Sequence, residues 1–323
     1  MPADDDYLWD RSGAVDPEVA KLEQLMAPLA HGEPLREVRA PMRRRVQRWR
    51  VGMGIAALAI AAVLAVWIGW PRHGSTCTGT SGFAFTGRGG DVTCGGGAVA
   101  KGVLPVGASL DTGAHEAELA IASIGTAELG PHTRVRLEET SESHHHLALD
   151  EGTLHARVNA PPRLFEVSTK HTNVVDLGCE YTITVDAQGA GSIKVLHGKV
   201  ELAAPNGAIV LAPVGTHAAI LPGQRPGLPL TDRNAALATA VAAYDRDPAA
   251  LAGVLAAAEP PDAITIVALA AIETAHRRDV LTRLAEISPP PADVTVEDAF
   301  ASSDVLARWR EDIVGAYYGL WRP

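Results

Sequence analysis

The sequence predicts a multi-domain membrane protein. It has a small α-helical cytoplasmic head, one transmembrane helix, an all-β domain outside the membrane and an α-helical C-terminal region. Three observations carry this reading. An uncharged stretch from Val51 to Trp70 follows a cluster of arginines, short alternating apolar runs fill residues 99–230, and an alanine-rich, proline-punctuated pattern fills residues 231–323.

With 323 residues, 47% hydrophobic and 20% charged, the chain can bury more than one core. Its net charge of −10 argues against a nucleic-acid partner, which needs a basic surface to displace counterions from phosphates. The 3 cysteines, Cys77, Cys94 and Cys179, are too few for a disulfide-dense scaffold and all follow the apolar stretch.

The head, residues 1–35, begins with an apolar-centred segment around Leu8 and Trp9, broken by Ser12-Gly13. Asp16-Pro17 then supplies an N-cap followed by proline at the first helical position. Val19, Leu22, Met26 and Leu29, with Leu25 beside them, fall on one helical face. The stripe can pack on Leu8 and Trp9 as a two-helix hairpin, but so short a segment rarely holds a core alone, so the favoured expectation is a partner laid against Leu8, Trp9, Val19, Leu22, Leu25, Met26 and Leu29. Residues 36–50 form a basic juxtamembrane linker suited to anionic membrane lipid.

Residues 51–70 predict the transmembrane helix. Twenty residues at about 1.5 Å rise cover about 30 Å, the thickness of the hydrocarbon core. Trp49 stands at one end, Trp67 and Trp70 at the other, and Pro71 stops the helix. The run is too long and too late for a cleaved export signal, and residues 46–48 do not suit a twin-arginine signal. Arg36, Arg39, Arg43, Arg44, Arg45, Arg48 and Arg50 precede it, whereas Arg72 alone follows closely. That asymmetry puts the N-terminus in the cytoplasm and the rest on the far side of the membrane, which the family resemblance described below makes a bacterial inner membrane. Ala57, Ala61, Ala65 and Gly69 make a small-residue ridge along which a second helix can approach.

Residues 71–98 read as a glycine-rich linker, with Cys77 and Cys94 placed to close a loop across it in an oxidising compartment. Cys94 with Cys179 is the alternative pairing. From 99 to 230, runs such as 133–137, 153–158, 164–167, 179–185, 192–196, 199–202 and 208–211 alternate between turn residues, which predicts a compact all-β domain. Cys179 shares its parity with Tyr181, Ile183 and Val185, so it faces the core as an inert thiol. His144, His145 and His146, with His132 and His155 nearby, suggest a metal only superficially. Neighbours on a strand point to opposite faces, and a solvated strand edge is the expectation. No catalytic, cofactor or nucleotide motif occurs, so neither an enzyme nor a cofactor is expected. Beyond Thr231, helices are expected over 234–244, 249–259 and 263–276, with a capping-box start at Thr295 to Asp298. A last stripe runs through Leu306, Trp309, Ile313, Tyr317 and Leu320.

The phrases GASLDTG (107–113), IGTAELGPHTRVRL (124–137), LDEGTLHARV (149–158), FEVSTKHTNVVDLGCEYTITVD (165–186) and GSIKVLHGKVEL (191–202) occur in this order. In them the chain resembles the FecR-type transmembrane regulators over about 99–221. That resemblance implies a periplasmic FecR-like β domain that senses an envelope signal. It also implies helices of an anti-sigma factor that bind an extracytoplasmic-function sigma factor through the head residues named above. On the outer side it implies an envelope protein or outer-membrane transducer as partner. The head departs from zinc-containing anti-sigma domains, because it has His31 but no cysteine. The competing expectation is a membrane-anchored module that binds polysaccharide, peptidoglycan or an envelope protein without a role in transcription.

Overall fold

The computed structural model describes Lys21, Cys77, Gly79 and residues 81–320 except Gln224, with side chains described as far as Tyr318. The chain divides into two compact units, Met1–Trp70 and Pro71–Pro323, and the described architecture belongs to the second. The head, the basic linker and the apolar run at 51–70 lie outside the described residues. Among those described, no helix is long and apolar enough to cross a membrane.

In chain order the strands begin with β1 (Phe83–Arg88), β2 (Val92–Cys94), β3 (Gly97–Val99), β4 (Lys101–Leu104), β5 (Ser109–Asp111) and β6 (Glu116–Ile121). Next come β7 (Gly125–Leu129), β8 (Arg134–Thr140), β9 (His145–Val158), β10 (Phe165–Ser168) and β11 (Asn173–Asp176). The last are β12 (Glu180–Val185), β13 (Gly191–His197), β14 (Lys199–Ala203), β15 (Ile209–Pro213) and β16 (His217–Ile220). They form two sheets that share β9. The first runs β4-β1-β6-β7-β9-β12-β13-β16, and the second β3-β2-β5-β8-β9-β10-β11-β14-β15. Every pair is antiparallel except β9 with β10.

The long β9 passes from one sheet to the other at Gly152. Before it, Leu147 and Leu149 are buried; after it, Leu154, Ala156 and Val158 are, so the buried parity switches. Gly152 has φ of +99°, and a Cβ there would lie 2.4 Å from the Cα of Thr133. Only glycine accepts both the backbone and the approach. Thr112 and Thr133, both buried, hold the corner. Thr112 Oγ1 accepts the Thr133 N–H at 2.9 Å, and Thr133 Oγ1 accepts the Thr153 N–H at 2.9 Å.

The two sheets enclose one core. Phe83, Leu119, Leu154 and Tyr181 reach it from the first sheet, and Leu110, Leu137, Phe165 and Val200 from the second. The expected linker at 71–98 is thereby corrected, because β1, β2 and the start of β3 lie within it and Phe83, Phe85 and Val92 are buried. Gly89, Gly90, Gly95 and Gly96 occupy the turns between these strands. Their count outweighed a short alternation that the core needs.

The helices are α1 (Ala235–Arg246), α2 (Leu251–Ala257), α3 (Ala263–Ile272), α4 (Arg277–Ile287), α5 (Val296–Ala301) and α6 (Ser303–Leu320). The expected run 263–276 ends early, at the C-cap Glu273. Asn234 caps α1, and Thr295 with Asp298 forms the capping box of α5. On α6, Leu306, Trp309, Ile313 and Tyr317 are buried. Residues 263–270 of α3 are buried on every side, and α3 packs on β15. Val210 and Leu211 of β15 sit in the helical core, so helices and sheet share apolar surface.

Candidate functional site

The sequence-predicted partner-binding residues Leu8, Trp9, Val19, Leu22, Leu25, Met26 and Leu29 lie outside the described residues. So does the ridge Ala57, Ala61, Ala65 and Gly69. Within the described part, a disulfide joins Cys77 to Cys94 with 6.0 Å between the Cα atoms, and Cys179 is a separate buried thiol. Cys77 also accepts the Val103 N–H of β4 through its carbonyl at 3.0 Å. A Cβ at Gly102 would meet that carbonyl oxygen at 2.4 Å, so the segment lies tightly along the strand. One residue thus binds an edge of the first sheet by hydrogen bond and β2 of the second by disulfide.

On the outward face of the first sheet, register aligns Glu118, Glu128, His155, Thr182, Lys194 and His217 across β6, β7, β9, β12, β13 and β16. Arg88 pairs with Glu118 and, at 3.8 Å, with Glu128, which separates two like charges that stand directly opposite. Arg157 and His155 both reach Glu180 Oε1, at 2.9 and 3.1 Å. The bond from Arg157 holds the Glu180 carboxyl below the usual carboxylate range, against its partial burial, with the charges of Arg157 and His155 adding to the effect. A cavity of about 160 Å³ opens among Arg88, Glu116, Glu128, Thr153 and His155. The arrangement presents hydrogen-bonding and charged groups side by side across the sheet. The polar parity of Thr153, His155 and Arg157 is visible in the sequence, whereas their row across six strands follows from the strand order.

The histidine run lies on the second sheet. His145 points inward, 5% exposed, packs edge-on to Phe83 at 5.7 Å and bonds Thr140 Oγ1 at 2.8 Å. Burial, with His144 adding to it, lowers its pKa. His144 and His146 lie with ring centroids 6.2 Å apart, His146 bonding Ser168 and His144 facing Glu139 and Glu166. The expected solvated strand edge is corrected, since β9 is paired on both sides. Among the described residues, no group of three or more His, Cys, Asp or Glu is placed to hold a metal ion.

Residues 109–201, from β5 into β14, match the family model described as FecR protein. This β region is of FecR type. No curated protein matches the chain. Two crystal structures of a candidate anti-sigma factor from Parabacteroides distasonis resemble part of it. The one at 2.50 Å resolution has 18% identity and a TM-score of 0.33, and the match covers 41% of this chain and 62% of that one. The other, at 1.65 Å, has 19% identity and a TM-score of 0.32, covering 40% and 60%. The chain therefore spans less than two thirds of either relative, and both likenesses are loose.

Near the end of the FecR stretch, Asp176 forms a tight turn with Cys179. Asp176 Oδ1 accepts the Gly178 N–H at 2.6 Å, and Cys179 Sγ donates to Oδ2 at 2.8 Å. Burial pushes the Asp176 carboxyl up, offset in part by these bonds, and pushes the Cys179 thiol up much further, the nearby Asp176 charge adding to it. The thiol is inert for that reason. The end of α6 lies beside this turn, where Tyr318 donates to the Gly198 carbonyl at 2.7 Å. Burial, with Cys179 close by, pushes the Tyr318 phenol up to about 12. The last helix is thus fastened to the FecR region.

Proposed function

We propose that this chain is a single-pass membrane signalling regulator of the anti-sigma type. Its FecR domain senses an envelope signal outside the inner membrane, and its N-terminal helices hold an extracytoplasmic-function sigma factor in the cytoplasm. The observation that carries the reading is the FecR match over residues 109–201. The arginine-flanked apolar run before it supports the topology. The Cys77–Cys94 disulfide supports an oxidising compartment for everything that follows. A regulatory role accords with a β sheet that aligns polar and charged side chains across six strands.

In this mechanism Leu22, Leu25, Met26 and Leu29 cover a sigma-factor surface that RNA polymerase also needs. A signal at the FecR domain shifts the head to a state with lower affinity, which requires the signal to bind the two states differently. The test is retention of the host's sigma factors on the full chain, compared with a chain lacking residues 1–35. Retention that vanishes with the deletion is expected. An equal yield from both chains, or none from either under any growth condition, sinks the proposal and favours a tethered envelope-binding module. Reporter fusions after Arg36 and after Gly107 check the compartments, and a cytoplasmic signal from the second overturns the sensing half.

A further inference from the structure

The histidine run at 144–146 is divided between the two faces of the second sheet where β9 begins. His144 and His146 lie on the outer face. There His144 faces Glu139 of β8 at 3.4 Å and Glu166 of β10 at 3.6 Å, and His146 bonds Ser168 at 2.8 Å. His145 lies on the inner face and is buried. In register it stands between Thr140 of β8 and Phe165 of β10, and across the core it meets the Phe83 ring of β1 edge-on. Its Nδ1 shares a hydrogen bond with Thr140 Oγ1 at 2.8 Å, and its main-chain N–H donates to the Leu164 carbonyl at 2.8 Å. One imidazole therefore joins strands of both sheets.

Histidine is the side chain whose ordinary charge change falls between about pH 5 and 8. The position of His145 suits only its neutral form, because the inward neighbours are a hydroxyl and two phenyl rings, none of which carries a charge. In the neutral ring Nδ1 can accept from Thr140, whereas in the charged ring both nitrogens donate and Thr140 has to turn. Burial lowers the pKa of His145 most, His144 beside it adds to the lowering, and Glu139 of β8 offsets part of it. The unfolded strand therefore takes up a proton more readily than the folded one. Stability at this point is complete above the ordinary value of about 6.5 and is lost as the pH falls towards the lower folded value.

We propose that His145 is a proton-operated latch, closed while its ring is neutral, and that acid outside the membrane opens it by driving the charged ring away from Thr140, Phe165 and Phe83. Phe83 belongs to β1, the first strand after the apolar run at 51–70 in chain order, so opening reaches the strand nearest in sequence to that run. On the outer face the response has the opposite sense, because a charge on His144 attracts both Glu139 and Glu166. Removing His145 alone therefore isolates the inward half. The inference names the proton as the signal for the sensing half of the proposed function, and it rests on that reading only for the effect on the sigma factor.

The experiment compares amide hydrogen exchange of the full chain in detergent at about pH 7.5 and about pH 5.5, corrected for the intrinsic pH dependence of exchange. Opening over residues 139–146 should rise about threefold or more in acid, below a ceiling of about tenfold set by one pH unit under the ordinary histidine value. His145→Phe, which fills the core, and His145→Asn, which keeps a polar partner for Thr140, should both lose the rise. In the parent, the ring signals of His145 followed by NMR should titrate below those of free histidine. The inference is overturned by a parent that shows no rise, by a rise of the same size in both variants, or by a ring that titrates at or above the free value. Sigma-factor retention is measured separately at both pH values on the parent and His145→Asn. Opening in acid that leaves retention unchanged upholds the latch and removes its link to signalling. Retention that changes equally in both chains while exchange stays flat overturns the latch and leaves the proposed function standing.

Discussion

The Cys77–Cys94 disulfide offers the sharpest test of how the β region is closed. Replacing both cysteines by alanine removes a cross-link with a sequence separation of 17 residues. On the chain-entropy argument a loop of that size stabilises by about 3 kcal/mol. For a unit of this length each kcal/mol moves the melting temperature by about 2–4 °C, so the double variant should melt about 6–12 °C lower. The loss should also be local. The Val103 amide, bonded to the Cys77 carbonyl at 3.0 Å, should exchange with solvent sooner, whereas the Ile183 amide at the centre of the first sheet should keep its protection until global unfolding. Circular dichroism melts and amide hydrogen exchange on the parent and the variant measure both effects. A drop below about 2 °C together with unchanged exchange at Val103 would show that the disulfide does not secure the sheet edge, and would refute the reasoning.

Three further outcomes follow from the same structure. Gly152→Ala should cost at least about 2 kcal/mol, read as a lower urea midpoint, because it adds a positive-φ penalty to a clash with Thr133. Gly107→Ala, at φ +83° with open space around it, should cost only about 1 kcal/mol, and equal costs at the two sites would count against the packing argument. Glu180→Gln should lower stability by about 0.5 kcal/mol near neutral pH, the pair being partly exposed. The folded-state pKa of Glu180 is depressed, so its contribution is complete above the ordinary value of about 4.3 and is lost as the pH falls through the folded value. Denaturant titrations at several pH values check this, and a difference that persists in strong acid contradicts it. Ending the chain at Leu230 strips α3 from β15, and size-exclusion chromatography should find aggregates. A monodisperse product would mean that the β region closes without the helices.

Much of this architecture was legible because it follows local rules. β12, β13 and β14 alternate cleanly, and the proline and asparagine breaks mark the turns and helix starts. β9 was read only from Thr153 onward, and the reason is physical. Its buried parity reverses at Gly152, so a strand that changes sheets looks in sequence like a strand that begins there. The linker reading at 71–98 failed because glycine and threonine content overshadowed Phe83 and Phe85, whose alternate spacing is the signal that places β1 in the core. The dipeptide Asn206-Gly207 announces the turn between β14 and β15. That this turn lies beside the one between β10 and β11 depends on β14 pairing with β11 rather than with β13, which no local pattern encodes.

The helical tail illustrates how a segment outside the matched family stretch can still be required by it. β15 ends the second sheet, and its residues from Val210 to Pro213 are buried. An apolar strand edge of that kind invites pairing with other chains unless something covers it. α3 is buried on all sides over residues 263–270, with Thr265 its one polar side chain there, so it too cannot stand in water, and it is the element laid on β15. Each therefore satisfies the need the other creates. At the opposite end of the tail, Tyr318 reaches Gly198, which sits between β13 and β14 beside Cys179. The tail thus touches the FecR region at its edge and at its buried Asp176–Cys179 turn.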